Sequence, residues 1–313
     1  MDYVIGIDSG GTHYRVLAAG LDGESLGEYS GSPCNHYRLD YAELLCRING
    51  HIDVCLGQSH LRREHCVSLV CGTTGLDSEE DAVFLHRVYG ELEGFHCPVT
   101  CINDAELALY TVLDGFGAQV ISGTGAIAFG RNRQGRSARI GGWHSAIFGD
   151  EGSGVWIAKQ VLRHLGRWFD GAVPDGPLAE MVRETLGIGS RKALMEYAVR
   201  IGAPPWKHPD LGPLADRAAG QGDPYAAAIL KNAARETFLL ADDLITLLRL
   251  HEEGDFNIGL WGGNILNSPR HREAFIKLAN EKYPKARIVL PRRSAAQAAA
   301  ALARENFKGL SVV

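Results

Sequence analysis

Two short glycine-rich turns are the segments of this chain best suited to bind phosphate. The first reads Asp8-Ser9-Gly10-Gly11-Thr12, and the second reads Ser122-Gly123-Thr124-Gly125. Successive N–H groups in such a turn form a concave site for phosphate oxygens, and glycine permits both close approach of a ligand and positive φ angles. The hydroxyl of Thr12 adds a donor. Neither turn fits the P-loop or the dinucleotide-binding motif, so each one alone could equally be an ordinary hairpin.

The two turns begin two similar halves of the sequence. Thr12 precedes Gly23 by 11 residues, and Thr124 precedes Gly135 by the same 11 residues, at an offset of 112. Each half therefore predicts a strand, a glycine and threonine turn, a second strand, a glycine turn and a third strand. An internal repeat of this kind constrains the fold. Two matched hairpins, one at the start of each half, suit a triphosphate held by both.

Acidic residues that follow predicted strands could supply chemistry beside such a phosphate. Asp8 leaves the end of the first strand, where its carboxylate could hold Mg²⁺ directly or through water. Asn103 and Asp104 lie where a later strand gives way to a helix, and ligands of α/β sheets bind beyond the carboxyl ends of strands. Asp104 could accept the proton of a hydroxyl that attacks a phosphoryl group. The structural alternative is that Asp104 only caps the helix.

Two further segments could contact the organic parts of a ligand. Gly149-Asp150-Glu151-Gly152-Ser153 opens a helix, where Asp150 could bind sugar hydroxyls or the acidic pair could simply favour the helix dipole. Trp143 could stack on a sugar face, although a single tryptophan is more often part of a core. Gly262 and Gly263 end a strand, where the lack of side chains would let an adenine ring lie against backbone. A plain tight turn is the alternative there.

Hydrophobic periodicity predicts the elements that would position these residues. The predicted strands are Tyr3–Ile7, Arg15–Leu21, Leu26–Tyr29, Val67–Cys71, Pro98–Ile102, Ala118–Ile121, Ala126–Gly130, Ala138–Gly141, Asn257–Trp261 and Arg287–Leu290. The predicted helices are Tyr41–Leu56, Glu79–Leu92, Asp104–Leu113, Gly154–Leu165, Leu178–Leu186, Arg191–Arg200, Tyr225–Leu250, Pro269–Asn280 and Ser294–Arg304. Loops are predicted at 174–177 and 203–209. This alternation predicts α/β layers with antiparallel hairpins at the edge of each sheet.

Composition argues against several classes of function. Hydrophobic residues make up 45% of the chain, and the net charge is −5 without clustered lysine and arginine, so we expect no nucleic acid and no membrane as partner. No stretch approaches the roughly 18 apolar residues of a membrane span, and the N-terminus lacks a signal-peptide pattern, so we expect a cytoplasmic protein. Seven cysteines without an export signal predict free thiols. For Cys97 and Cys101, the closest pair, burial is a better expectation than metal ligation.

Taken together, these segments resemble the N-acetylglucosamine kinase family, which comprises BadF/BadG/BcrA/BcrD-type ATPases within the larger group of sugar kinases, actin and heat-shock ATPases. The matching stretches occur in the family's order and extend from near residue 4 to near residue 300. They are Gly6-Ile7-Asp8-Ser9-Gly10-Gly11-Thr12-His13, Asn35-His36, Asn103-Asp104-Ala105, Ile121-Ser122-Gly123-Thr124-Gly125, Gly141-Gly142-Trp143, Gly149-Asp150-Glu151-Gly152-Ser153 and Trp261-Gly262-Gly263.

The resemblance implies an α/β fold of two ribonuclease-H-like lobes around a cleft, with residues 1–114 and 293–313 in one lobe and 115–292 in the other. It implies a homodimer, ATP and Mg²⁺ as cofactors, and transfer of a phosphoryl group to the 6-hydroxyl of N-acetylglucosamine with Asp104 as the base. The implied contacts are Gly10, Gly11, Thr12, Gly123, Thr124 and Gly125 for the phosphates, Gly262 and Gly263 for adenosine, Asp8 for Mg²⁺, and Asn35, Asn103, Asp104, Gly142, Trp143 and Asp150 for the sugar.

The sequence departs from the family pattern at two places. His144 follows Trp143 where the family has glycine, and the loop from Trp143 to Gly149 is one residue longer. Gln297 lies in the last helix where a Gly-Ala pair is expected. Glucosamine and N-acetylmuramic acid therefore stay open as substrates. Two other classes also stay open: an ATPase activator of a 2-hydroxyacyl-CoA dehydratase, which needs cysteine ligands for an iron–sulfur cluster, and a non-catalytic nucleotide or sugar sensor.

Overall fold

The computed structural model describes residues 1–143, 148–202 and 209–310, which form two compact units: Met1–Gly115 with the segment from Pro291 onward, and Phe116–Leu290. The strands are β1 Tyr3–Ser9, β2 Tyr14–Gly20, β3 Ser25–Gly31, β4 Cys66–Thr73, β5 Val99–Asn103, β6 Gly117–Ser122, β7 Ala126–Arg131, β8 Ser137–Gly141, β9 Phe256–Trp261 and β10 Ala286–Val289. The helices are α1 Tyr41–Gly57, α2 Glu79–Gly90, α3 Asp104–Leu113, α4 Gly154–Phe169, α5 Pro177–Leu186, α6 Arg191–Gly202, α7 Gly212–Gly220, α8 Pro224–Leu248, α9 Gly263–Asn267, α10 Pro269–Lys282 and α11 Ala295–Leu310.

The first unit is built on a five-stranded sheet in the order β3-β2-β1-β4-β5. β1, β2 and β3 pair antiparallel, whereas β4 runs parallel to β1 and β5 runs parallel to β4. The central strand β1 is apolar and almost wholly buried, as expected for a strand covered on both faces. A side chain at Gly6 would overlap backbone atoms of Ala296 and Ala300, so the alanine-rich α11 packs directly on this strand.

The second unit repeats this topology with the sheet order β10-β9-β6-β7-β8. β6, β7 and β8 are antiparallel, and β9 and β10 continue the sheet in parallel. The long helix α8 buries one face, which includes Phe238, Ala241 and Leu244, against this sheet. The predicted α/β fold with two ribonuclease-H-like sheets is therefore confirmed, and its repeat has the predicted order of hairpins.

Helices α4 to α7 add a helical part to the second unit, with an apolar cluster of their own that includes Ile157, Val161 and Leu214. Helix α7, in the segment GPLADRAAG, was not among the predicted helices. Proline fits the first turn of a helix, and Leu214, Ala215 and Ala218 supply a buried face. The loop predicted at 203–209 lies outside the described residues except for Pro209.

Cys97 and Cys101, the closest pair in the sequence, each lie beside a different cysteine in the structure. Cys101 pairs with Cys71 in the register of β4 and β5, whereas the Sγ of Cys97 lies 3.7 Å from that of Cys66. All seven are free thiols. Among the residues that the structure describes, no group of three or more histidine, cysteine, aspartate or glutamate side chains is arranged to hold a metal ion. Within the same ranges, no helix has the length and apolar character needed to cross a membrane.

Candidate active site

The two glycine-rich turns, 8–12 and 122–125, are called the first and second phosphate turns after their predicted role. The first connects β1 and β2 and is closed by a hydrogen bond from the Gly10 N–H to the carbonyl oxygen of His13, at 2.9 Å. Within the part of the chain that the structure describes, no atom lies within 4 Å of the position that a Cβ on Gly11 would take, and Thr12 is exposed. Neither glycine adopts a positive φ angle. The glycines are therefore not needed for an unusual backbone conformation here. They leave the backbone uncovered for a ligand.

Asp8, at the end of β1, faces Arg15 on β2. The two residues are partners in the antiparallel register, and an Oδ2 to Nη1 distance of 3.0 Å joins their side chains. Burial raises the pKa of Asp8, while the hydrogen bond and charge of Arg15 oppose that rise. One carboxylate oxygen of the predicted Mg²⁺ ligand is thus already paired with a cation.

At the junction of β5 and α3, the neighbouring residues Asn103 and Asp104 have different roles. The side chain of Asn103 caps α3, because its Oδ1 accepts a hydrogen bond from the Ala105 N–H at 2.8 Å. Its amide nitrogen donates to the carbonyl oxygen of Leu76 at 3.0 Å and lies 3.4 Å from Oδ1 of Asp77. Asp104 is the first residue of the helix and not its cap. The structural explanation that the sequence offered for Asp104 therefore applies to Asn103.

The carboxylate of Asp104 lies in surroundings that make it a better base. Burial raises its pKa, and the negative charges of Asp77 and Asp8 raise it further. Hydrogen bonds from the Ala105 backbone and from the hydroxyl of Thr74 partly offset this rise. A carboxylate with a raised pKa accepts a proton more readily than an ordinary aspartate. The structure thus brings together the predicted Asp8 and Asp104.

Two residues that act on Asp104, the hydrogen-bond donor Thr74 and the acidic Asp77, were not predicted from the sequence. Both follow β4, which runs parallel to β5 with Thr73 opposite Asn103. The carboxyl ends of neighbouring parallel strands meet at one edge of a sheet. That rule, applied to the strand before Asp104, could have identified them.

Asn35 lies in a turn of the first unit. Its Oδ1 accepts a hydrogen bond from the backbone N–H of Tyr37 at 2.8 Å, and its carbonyl oxygen accepts from Arg38 and Leu39. The residues that follow are tied to Asp81, which completes the capping box of α2 with Ser78 and accepts a hydrogen bond from the Tyr37 hydroxyl at 2.7 Å. The turn that carries Asn35 is therefore fixed by the start of α2.

The second phosphate turn lies between β6 and β7 and against the first turn of α4. The Gly123 N–H donates to the carbonyl oxygen of Gly125 at 2.9 Å. The Gly123 and Thr124 carbonyl oxygens accept from the N–H groups of Gly154 at 2.8 Å and Val155 at 3.3 Å. In residues 1–143, 148–202 and 209–310, no atom lies within 4 Å of a Cβ placed on Gly123. As in the first turn, backbone is left uncovered, and a helix N-terminus, which favours anions, lies beside it.

Asp150 supports this second turn. Its Oδ1 accepts a hydrogen bond from the Ala126 N–H at 2.9 Å, and the residue itself adopts a left-handed φ of 59°. Glu151 holds the same loop, since its Oε1 accepts from the Gly149 N–H at 3.0 Å. One carboxylate oxygen of Asp150, which the sequence predicts to bind the sugar, is therefore already used within the protein. The same hydrogen bond links the Asp150 loop to the second phosphate turn.

The segment Gly142-Trp143 follows β8. Gly142 has a φ of 73°, and its N–H donates to the carbonyl oxygen of Ala126 at 3.0 Å. The side chain of Trp143 is 63% exposed and its ring lies 6.2 Å from that of Phe148, which is 62% exposed. Trp143 is thus not part of a core. Residues 144–147, which include His144 and most of the longer loop, lie outside the described residues.

A cavity of about 390 Å³ opens beside the second phosphate turn, within the range usual for small-molecule sites. Its lining includes Gly123 and Thr124 at one side and Gly263 at the start of α9. Gly262 packs behind it with a φ of 98°, and a Cβ there would lie 2.5 Å from the carbonyl oxygen of Ser122. Of the residues predicted for phosphate and adenosine in this unit, Gly123, Thr124 and Gly263 line this cavity, whereas Gly125 and Gly262 do not.

Other residues that line this cavity were not predicted. They come from the segment before α7, from α7 itself and from the α9–α10 region, and include Asp210, Gly212, Asp216, Asn264, Asn267 and Ser268. Asp216 accepts a hydrogen bond from the Ser268 hydroxyl at 3.0 Å and lies 3.4 Å from Arg270. Because the sequence analysis missed α7, it had no means of placing Asp210 or Asp216 near the glycines at 262 and 263.

Known proteins are similar in sequence to this chain over nearly its whole length. An N-acetylmuramic acid/N-acetylglucosamine kinase of Clostridium acetobutylicum is 33% identical over 307 residues, which cover 98% of this chain and 99% of that protein. An N-acetyl-D-glucosamine kinase of Dictyostelium discoideum is 32% identical, with 97% and 98% of the two chains covered. A crystal structure of a candidate N-acetylglucosamine kinase from Chromobacterium violaceum is 25% identical and has a TM-score of 0.73, covering 96% of this chain and 99% of that one.

The family model gives the same relationship. The model of the BadF/BadG/BcrA/BcrD ATPase family matches residues 5–303, which include both phosphate turns, the β5–α3 junction and β9, the strand that precedes Gly262. This chain therefore belongs to the BadF/BadG/BcrA/BcrD ATPase family.

Proposed function

We propose that this protein transfers the γ-phosphoryl group of ATP to the 6-hydroxyl of N-acetylglucosamine, giving N-acetylglucosamine 6-phosphate and ADP. The observation that carries the proposal is the state of Asp104. Asp104 is the first residue of α3, but it does not cap the helix. Burial raises the pKa of its carboxyl group, and the charges of two neighbouring carboxylates raise it further. A base placed in this way has a chemical use, which is to accept the proton of an attacking hydroxyl.

The choice of substrate is supported by the relatives. Both the Clostridium and the Dictyostelium kinase are named for N-acetylglucosamine, and each covers nearly the whole of this chain. The Clostridium enzyme is also named for N-acetylmuramic acid, which makes that sugar the first competitor to test. Glucosamine is the second, because it lacks only the acetyl group.

The phosphates of ATP would approach the backbone at two turns in this proposal. Gly10, Gly11 and Thr12 form the turn in the first unit, and Gly123, Thr124 and Gly125 form the turn in the second unit. The support is that, among the described residues, no atom lies within 4 Å of a Cβ placed on Gly11 or Gly123, which leaves room for a ligand. The N–H groups of Gly10 and Gly123 already donate to the carbonyl oxygens of His13 and Gly125, so these two glycines would permit close approach rather than supply donors. Gly262 and Gly263 would accommodate adenosine, since Gly263 lines the cavity and Gly262 packs against the phosphate turn.

Asp8 fits the requirements of a Mg²⁺ ligand in part. Mg²⁺ prefers oxygen ligands and is usually held by one or two carboxylates together with substrate phosphates and water. Asp8 offers such a carboxylate, but its Oδ2 is paired with Arg15, so contact would use the other oxygen or a water molecule. Bound there, the ion would neutralise charge on the phosphates. Asp8 itself would fix the ion's position, and Arg15 would fix the rotamer of Asp8.

The sugar contacts are proposed residue by residue. Asp104 would meet the reacting hydroxyl, and Asn35 would offer its amide from a turn that α2 holds in place. Asn103 would act chiefly by capping α3. In the second unit, Trp143 would stack on the sugar ring, Gly142 would allow the backbone bend before it, and Asp150 would use the oxygen that Ala126 does not engage. A homodimer and a cytoplasmic location remain part of this proposal, and light scattering tests the first.

A sugar panel with an aspartate variant tests the proposal. ADP release would be measured with ATP and Mg²⁺ on N-acetylglucosamine, N-acetylmuramic acid, glucosamine, N-acetylmannosamine, glucose and no sugar, and the phosphorylated position would be assigned by NMR. N-acetylglucosamine should stimulate most, and Asp104→Asn should lower kcat about 10²- to 10⁴-fold. Asp255→Asn, at an exposed position of the second unit, is the matched control and should behave as wild type. ADP release that ignores every sugar would refute the kinase assignment.

A further inference from the structure

His271 is a buried histidine that the proposed chemistry does not use. It lies on α10 with 0% exposure, and its Nε2 is 3.1 Å from the hydroxyl of Thr237 on α8. Its Nδ1 is 3.5 Å from the side-chain nitrogen of Asn264, which lines the nucleotide cavity. Burial lowers the pKa of His271 to about 4, so the ring is neutral near pH 7. A neutral imidazole has one donor nitrogen and one acceptor nitrogen, and its neighbours decide which is which.

The neighbours of His271 select one tautomer. The Thr237 hydroxyl lies 3.0 Å from the Ala233 carbonyl oxygen and 3.1 Å from that of Ala234, and a carbonyl can only accept. The hydroxyl proton therefore points at the helix backbone, and the Thr237 oxygen accepts a hydrogen bond from the His271 Nε2–H. The proton-free Nδ1 is left as an acceptor that faces Asn264.

The amide of Asn264 has only one orientation that satisfies its neighbours. Its Nδ2 lies 2.8 Å from the Ser122 hydroxyl and 3.1 Å from the Gly152 carbonyl oxygen. That carbonyl also accepts from the Ser122 hydroxyl at 3.1 Å, which leaves the Ser122 oxygen to accept from Asn264. These two acceptors take both protons of the NH₂ group, which must therefore point inward. The His271 Nδ1, 3.5 Å away, lies behind it as a third acceptor that shares one of these protons and disfavours an oxygen at this position. A flipped amide would set its own oxygen against the Gly152 carbonyl.

The carbonyl oxygen of Asn264 is consequently turned toward Gly212, at the cavity. It lies 3.3 Å from the position that a Cβ on Gly212 would take, and Oδ1 of Asp210 lies 3.7 Å from the same point. All three residues line the cavity. Two acceptor oxygens therefore lie near one glycine that carries no side chain to cover them.

We propose that Asn264 and Asp210 are nucleotide-specificity residues that accept hydrogen bonds from the ribose hydroxyls, and that His271 is a positioning residue that holds the Asn264 amide in this orientation. The inference rests on the proposed use of ATP. Nucleotide phosphates at neutral pH have few protons to donate, whereas a ribose diol offers two donors. Ser122, which holds Asn264, directly precedes the phosphate turn, and the ribose is the part of a nucleotide next to its phosphates. The amino group of adenine lies at the far end.

Equilibrium binding separates this inference from the sugar assignment, because it needs no acceptor sugar. Calorimetry would compare ADP, 2′-deoxy-ADP, 3′-deoxy-ADP and GDP on wild type and variants. Wild type should bind at least one deoxy analogue about 3- to 10-fold more weakly than ADP, as expected for one lost hydrogen bond. Asn264→Ala and Asp210→Ala should each bind ADP more weakly and reduce that discrimination, because each removes an acceptor oxygen, while the ratio of ADP to GDP affinity stays unchanged.

Variants of His271 test its positioning role. His271→Leu removes the acceptor behind Asn264 and should reduce ribose discrimination, whereas His271→Asn retains a polar group at the position of Nδ1 and should restore part of it. In turnover assays His271→Leu should raise KM for ATP more than it lowers kcat, with KM for the sugar unchanged. Asn280→Ala, exposed on the same helix, is the control. Thermal unfolding of each variant checks that it folds.

Each outcome has a distinct meaning. Discrimination against deoxy nucleotides that persists unchanged in folded Asn264→Ala and Asp210→Ala overturns the inference. A change in the ADP to GDP ratio without a change in ribose discrimination also overturns it, and assigns Asn264 to the base. If ribose discrimination behaves as proposed but no sugar is phosphorylated, the inference stands and the sugar-kinase proposal fails. If wild type binds no adenine nucleotide, both fail.

Discussion

The carboxylate of Asp150 is seated against Gly125 in the second phosphate turn. A Cβ on Gly125 would lie 2.6 Å from Oδ1 of Asp150, the same oxygen that accepts the Ala126 N–H. The glycine is therefore required by a protein contact. For Gly123, two residues earlier, no atom of the described residues lies within 4 Å of its Cβ position, so the described part of the fold does not require glycine there. The two glycines of one turn thus serve different purposes, and substitution can separate them.

Gly123→Ala should leave stability nearly unchanged and weaken nucleotide binding, whereas Gly125→Ala should weaken both. An alanine at 123 meets open space and adopts the existing backbone, so we expect a change within about 0.5 kcal/mol in the free energy of unfolding. An alanine at 125 must displace Asp150, which we expect to cost about 1–3 kcal/mol. Denaturant unfolding and ADP titration of both variants measure this. Equal stability loss in the two variants would contradict the assignment.

Asn103 should affect catalysis through the helix that carries Asp104. Asn103→Ala removes the N-cap of α3 and should lower the free energy of unfolding by about 1 kcal/mol. Because Asp104 follows directly, kcat should fall while KM for the sugar changes little. Asn103→Ser keeps a capping oxygen and should recover most of the stability and part of kcat. A large rise in KM with unchanged stability would instead show that Asn103 binds the sugar directly.

The sequence predicted the sheets better than it predicted the site. Strands with continuous apolar runs, such as β1, and the repeated glycine turns follow local rules, and both were placed correctly. Contacts that depend on distant segments were not. Nothing in the residues around His271 indicates that α10 brings it beside Thr237 and Asn264, or that α7 carries Asp216 to the cavity. Sequence motifs identified the glycine-rich turns, but they did not identify the side chains from distant segments that line the cavity beside the second turn.

The raised pKa of Asp104 predicts how activity depends on pH. A base must be deprotonated, so kcat/KM for the sugar should fall as the pH drops through the pKa of Asp104, by about tenfold per pH unit below it. Burial and the charges of Asp77 and Asp8 place this decline at a higher pH than for an ordinary aspartate. Asp77→Asn removes one of these charges and should move the decline to lower pH. A pH profile of kcat/KM for both proteins checks this, and an unmoved profile would argue against the electrostatic contribution of Asp77.

The same carboxylate should lower stability at neutral pH. A folded-state pKa above the unfolded value means that ionised Asp104 disfavours folding, and this cost is absent below the unfolded pKa, where the group is protonated in both states. Asp104→Asn should therefore unfold at a higher temperature than wild type near pH 7, with a difference that shrinks toward acidic pH. Thermal unfolding at several pH values measures it. A variant that is less stable than wild type at pH 7 would show that Asp104 contributes hydrogen bonds worth more than its burial costs.

Trp143 should contribute to sugar binding without contributing to the fold. Its ring is 63% exposed and touches the equally exposed Phe148, so truncation removes little buried area. Trp143→Ala should raise KM for the sugar with little change in the unfolding temperature or in KM for ATP, and Trp143→Phe should have a smaller effect because an aromatic face remains. Val83→Ala, at an exposed apolar position of the first unit, is the control for loss of exposed apolar surface. If KM for the sugar is the same in Trp143→Ala as in wild type, the ring does not stack on the substrate, and the exposed aromatic pair needs another explanation.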